Sequence, residues 1–185
     1  MLGLDFDAAR AMVYILNFGA SKVQRIPANF HAGTPVEDVA TLPNIGAPGN
    51  RSVGNPDGSS DTINFGSNSF PAPNAMTFDR SGNAYVSDSF QGAIYRIDNI
   101  ATCAAPCAVT TVTQDPLLAT AGFPPFGANG ARARFERDVA FIANTGDNRV
   151  LKMDLATKVI LSVRGERSRR GRPGIRRRRP PMGLR

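Results

Sequence analysis

Tryptophan is missing from this 185-residue chain, histidine occurs once and cysteine twice. With His31 alone, set in the loop-like FHAGTP, a histidine-based catalytic triad or a histidine-rich metal site has no material. Cys103 and Cys107 stand in CAAPC, which is not the CxxC of redox and zinc sites and has no second pair. They can close a small loop disulfide in an exported protein or stay as free thiols, so no compartment follows from them. No run of about 18 apolar residues is present, which argues against a helical membrane span. The opening MLGLDFDAAR carries acids early and does not read as a secretory signal. Neither a GxxxxGK[ST] phosphate loop nor a GxSxG nucleophile elbow occurs.

What the chain does have is turn formers and an uneven charge. Its 18 glycines and 14 prolines suit a turn-rich fold, and 42% hydrophobic residues suit a globular one. The formal charge of +7 belongs to one end: Arg164 to Arg185 hold ten arginines and one acid, Glu166. The other 163 residues hold 12 basic and 14 acidic groups, a net charge of −2. A nucleic-acid reading of the body therefore loses its electrostatic support and survives only for the tail, where no aromatic is interleaved for base stacking.

Self-similarity decides the fold class. YILNFGASKVQRIP from Tyr14, YVSDSFQGAIYRID from Tyr85 and FIANTGDNRVLKMD from Phe141 align without a gap. Each opens on an aromatic and a β-branched residue. Each has Asn or Asp fourth (Asn17, Asp88, Asn144), Val or Ile tenth (Val23, Ile94, Val150) and Arg or Lys twelfth (Arg25, Arg96, Lys152). Aromatic and β-branched runs favour strands, and the Gly, Asn, Asp and Ser between them supply turns, so each copy predicts a hairpin. A further strand is expected before each hairpin, in LGLDFD (2–7), NAMTFD (74–79) and NGARARF (129–135). Another is expected after each, in VEDVATL (36–42), AVTTVT (108–113) and KVILSV (158–163). Recurring units of four antiparallel strands are the blades of a β-propeller.

The expected fold is all-β, an incomplete β-propeller of about three four-stranded antiparallel blades. The propeller spans 1–163, with blades at about 2–42, 74–113 and 129–163 and loop insertions at 43–73 and 114–127. The alternative is a β-sandwich with similar hairpins. Three blades fall short of the four to eight that close a ring, so open sheet edges predict self-association, marginal stability or a gene fragment. The tail 164–185 reads as disordered, as a phosphate-binding or localisation segment, or as the product of a shifted frame.

PNAMTFDRSGNAYVSDSFQGAIYRID and PFGANG…AFIANTGDNRVLKMDLAT resemble the gluconolactonase-like superfamily of six-bladed propellers, which includes senescence marker protein, and the neighbouring NHL-repeat proteins. The likeness covers about 90 residues well and 2–27 less fully. It implies a parent that binds or hydrolyses a small lactone or ester at a central channel holding a divalent cation such as calcium. Family ligands are a Glu, Asn residues and an Asp at inner-strand starts. The matching positions precede the repeat aromatic by 12, 11 and 12 residues: Leu2, Asn74 and Asn129. Asn74 and Asn129 are thus the candidate metal ligands, with Leu2 where the family offers Glu. Read simply as residues, both Asn are turn formers leading into strands. Two neutral amides hold a hard cation poorly, so this chain is expected to be inactive by itself.

A second reading makes the blades a non-enzymatic, NHL-like scaffold for a protein partner, and a third a truncated product without independent function. Asp57 and Asp61 in NPDGSSD lack the closing Glu of a calcium loop and read as turn chemistry.

Overall fold

A computed structural model describes residues 3–65, 70–134 and 139–163, with backbone alone for 132–134. Leu2 and the tail 164–185 lie outside the described residues. Strands follow one another in fours. Blade 1 is β1 (Gly3–Asp7), β2 (Met12–Asn17), β3 (Lys22–Pro27) and β4 (Glu37–Thr41). A hairpin follows, β5 (Arg51–Gly54) and β6 (Ser60–Ile63). Blade 2 is β7 (Pro73–Phe78), β8 (Ala84–Asp88), β9 (Ala93–Ile97) and β10 (Val109–Gln114). Blade 3 is β11 (Ala128–Arg134), β12 (Val139–Asn144), β13 (Arg149–Asp154) and β14 (Ile160–Val163). Each blade is its own antiparallel sheet with strands in chain order. A single 3-10 turn, Phe18–Ala20, is the only helical element among the described residues.

The repeat aromatics hold the same place in every sheet. Tyr14 faces Asp5 and Arg25, Tyr85 faces Thr77 and Arg96, and Phe141 faces Arg132 and Lys152. Identical register across three sheets fixes which residues point to each face, because a one-residue slip would invert them all. The innermost strands β1, β7 and β11 run side by side, so the sheets fan about a shared axis as propeller blades do.

Apolar residues fill the gaps between blades. Tyr14, Leu16, Val23 and Val39 of blade 1 meet Met76, Val86, Tyr95 and Ile97 of blade 2. Ile94 of blade 2 meets Ile142, Leu151 and Met153 of blade 3. Tyr14 and Phe78 pack with ring centroids 5.4 Å apart. Burying each large side chain contributes about 1.5–3 kcal/mol, so the inter-blade layers hold the arc together.

The insertion before blade 2, whose composition suggests an exposed loop with one short strand at 61–66, has a strand there and a second one paired with it. The β5–β6 hairpin turns at Pro56–Gly58, and the segment buries Arg51 and Phe65. Cys103 and Cys107 form a disulfide that closes the β9–β10 connection. No helix among the described residues is long and apolar enough to cross a membrane.

Candidate functional site at the loop end of the blades

Antiparallel order puts the start of each inner strand at the same end as each β2–β3, β8–β9 and β12–β13 turn. The fourth repeat residue governs those turns. Asn17 Oδ1 accepts from the Ala20 amide, Asp88 Oδ1 from the Phe90 and Gln91 amides, and Asn144 Oδ1 from the Asp147 amide. A short side-chain oxygen reaching the backbone two or three residues on is the reason for Asn or Asp here. Burial pushes the Asp88 carboxyl above the usual carboxylate range, against the pull of its bonds to Gln91, Phe90 and Ala72.

Asn74 and Asn129 sit three residues before the residue that faces each repeat aromatic. Both fall at register breaks, Pro73/Ala75 and Ala128/Gly130, so each is the extra residue of a bulge in its inner strand. Bulges re-aim a side chain out of the pleat. Asn74 Nδ2 donates to Ser89 Oγ at 2.8 Å, and Asn129 Nδ2 donates to Thr145 Oγ1 at 3.0 Å. Ser89 and Thr145 each follow the fourth-position residue of their own blade. Ser89 Oγ in turn donates to the Ala128 carbonyl, tying blade 2 to the inner strand of blade 3. The same hydroxyl device therefore orients both amides and engages one N–H of each. Asn74 is buried and Asn129 half-exposed.

Four phenylalanines gather at this end, and no single-blade pattern announces them. Phe18 meets Phe70, Phe90 and Phe126 with centroids 5.9, 5.4 and 6.3 Å away, all edge to face. Phe90 stacks on Phe126 at 6.1 Å. Phe18 and Phe90 come from the turns after Asn17 and Asp88, while Phe70 and Phe126 lead into the strands that carry Asn74 and Asn129. The available signal was the placement of a Phe four and three residues before each Asn. Phe70 remains 44% exposed, so the cluster is a surface and not a core.

Beside it, Arg51 and Asp147 form an ion pair at 2.7 Å with side chains only 9% and 7% exposed. Arg51 also donates to the Pro116 carbonyl and lies over the Phe65 ring. Thr120 Oγ1 donates to Asp147 Oδ1 at 2.5 Å. This pin fastens the β5–β6 hairpin onto the turn of blade 3.

The donor set does not by itself fit a divalent cation. Asn74 and Asn129 offer neutral oxygens, and no group of three His, Cys, Asp or Glu converges among the described residues. His31 is exposed, with Nδ1 beside the Ala32 carbonyl, and Asp57 accepts from Ser59 within the β5–β6 turn. At the opposite end of the blades, a cleft of about 300 Å³ opens between the Asp7–Arg10 and Asp79–Gly82 turns. There Arg10 pairs with Asp7, and Asp79 accepts from the Ser81 and Asn83 amides of its own turn.

No family model and no curated protein matches this chain. Solved structures do. One is a 6-phosphogluconolactonase-like protein of Bacteroides fragilis, 13% identical, covering 87% of this chain and 37% of its own, with a TM-score of 0.46. Another is the catalytically inactive virginiamycin B lyase of Staphylococcus aureus with quinupristin, 12% identical, covering 90% and 56%, with a TM-score of 0.42. A third is a nidogen/laminin complex, 15% identical, covering 86% and 78%, with a TM-score of 0.35. The chain thus spans less than two thirds of the length of the first two.

Proposed function

We propose that the arc is a binding module whose site lies at the loop end, where Asn74 and Asn129 border the phenylalanine cluster. Its ligand is a small, oxygen-rich molecule with one apolar face, of the lactone or ester class. The carrying observation is the paired construction of the two amides: each is bulged from an inner strand and held through its nitrogen by the hydroxyl after the turn-capping residue. Amide oxygens serve a ligand hydroxyl, and edge-to-face rings serve a flat apolar surface. The resemblance of 73–98 and 125–157 to gluconolactonase-like sequences supports the same substrate class. Hydrolysis needs a carbonyl-polarising cation or an activated water, and two neutral amides supply neither, so the reading for this chain is binding without turnover.

The test is a titration with a six-membered sugar lactone and, separately, with calcium, following the side-chain amide signals of Asn74 and Asn129 by NMR. The lactone is expected to shift both signals, and Asn129→Ala to abolish that response with an unchanged melting curve. Calcium alone is expected to leave melting unmoved. Amide signals indifferent to the lactone overturn the reading.

A further inference from the structure

Blade positions that are equivalent by register are buried wherever a neighbouring blade exists and bare wherever the described residues offer none. On the face each blade turns toward the next, the tenth repeat residue is 0% exposed as Val23 and 2% as Ile94, but 45% as Val150. On the face turned toward the preceding blade, Met76 of β7 is 8% exposed, while its counterpart Leu4 of β1 is 61% exposed. Phe78 is half-buried against Tyr14, and its counterpart Phe6 is 54% exposed. Blade 1 therefore bares Leu4 and Phe6 on its front face, beside half-buried Val13 and Ile15. Blade 3 bares Ala143, Val150 and Val163 on its back face, beside half-buried Phe141.

These two faces are the halves of an interface the chain already makes twice within itself. We propose that the back face of blade 3 docks on the front face of blade 1 of a second copy of this chain, and the reverse, so that two copies close one ring. Phe141 of one copy then meets Phe6 of the other in the way Tyr14 meets Phe78 in the chain. The contact is heterologous, front to back, and such contacts either close into a ring or run on as a filament. Two arcs bring six blades, inside the four-to-eight range in which blades close about an axis. The driving term is the burial of the apolar side chains of both faces.

Sedimentation velocity of the full chain tests this. The wild type is expected as a discrete dimer that dissociates on dilution. Phe6→Glu and Val150→Glu, each confirmed folded by circular dichroism, should each weaken dimerisation about tenfold or more. An equimolar mixture of the two variants is expected to recover association, because one of its two contacts pairs an unaltered back face with an unaltered front face. A wild type that stays monomeric at every concentration overturns the proposal and leaves the faces to further blades of a longer polypeptide. A ladder of growing species overturns ring closure. Loss on Phe6→Glu with none on Val150→Glu, or a mixture that recovers nothing, overturns the front-to-back contact.

Discussion

Blades 2 and 3 carry fourteen-residue segments that align without a gap, yet their turn-capping residues are an acid and an amide, Asp88 and Asn144. The difference lies in what the neighbouring segment presents. In blade 2 the second carboxylate oxygen of Asp88 accepts from the Ala72 amide at 3.0 Å. In blade 3 the Nδ2 of Asn144 donates to the carbonyls of Leu117 and Ala119 at 2.9 and 2.8 Å. One crossing segment offers N–H and the other offers C=O, so each position requires the residue it has. Both side chains are buried, at 0% and 1% exposure, where an unmatched polar atom is costly.

Exchanging the two residues breaks this complementarity most severely in blade 3. Asn144→Asp sets a carboxylate against two carbonyl oxygens in a buried site and should lower unfolding free energy by about 3 kcal/mol or more. Asp88→Asn sets an amide N–H against the Ala72 N–H without adding charge, and should cost about 1–3 kcal/mol. Urea unfolding measures both. Equal costs would show that the crossing segments rearrange and that the acid–amide distinction is incidental.

The turns themselves give the next contrast. A Cβ on Gly146 of blade 3 would lie 2.5 Å from Thr120 Cγ2 and 2.6 Å from the Pro124 carbonyl, while a Cβ on Gly19 of blade 1 meets nothing within 4 Å. Gly146→Ala should therefore destabilise by about 1–3 kcal/mol, and Gly19→Ala by no more than about 0.5 kcal/mol. Comparable melting shifts in the two variants would mean that the loop before blade 3 yields, and that its close fit on Gly146 does not restrain the turn.

How much of this was legible follows from how local each feature is. The hairpins at Tyr14, Tyr85 and Phe141 could be read because their strand residues, turn residues and register all lie within fourteen positions. The inner and outer strands of each blade could be read from the alternation around them. Asn74 and Asn129 were legible as equivalent positions by counting back from the aromatics, but the hydroxyls that hold them follow a strand later and the bulges leave no mark of their own. The phenylalanine cluster, the Arg51–Asp147 pin and the acid–amide choice join residues tens of positions apart. Arg51, in a stretch of Gly, Asn and Pro, carries no periodic signal that its guanidinium is destined for burial.

The smallest effects separate tyrosines within one inter-blade layer. Tyr14 and Tyr95 are both fully buried, and burial pushes the phenol of each above its ordinary range, with the Asp88 charge adding to the rise at Tyr95. Tyr85 is raised by burial and by Asp79. A phenol that ionises near pH 10 in the unfolded chain but later in the folded one gives stability that is complete below pH 10 and declines as pH rises toward the folded value. Absorbance should therefore show late ionisation of all three tyrosines, coincident with alkaline unfolding. The hydroxyls part company at neutral pH. Tyr95 Oη donates to Gln91 or to the Pro43 carbonyl, whereas Tyr14 Oη is buried with only the Arg25 guanidinium beside it and no well-aligned hydrogen bond. Tyr95→Phe should cost about 1 kcal/mol, and Tyr14→Phe should be neutral or stabilise by up to about 1 kcal/mol, since blade 3 already uses Phe141 at the equivalent place. A loss at Tyr14 equal to that at Tyr95 would mean its hydroxyl has a partner in solution, and the front of blade 2 would then be a polar contact as well as an apolar one.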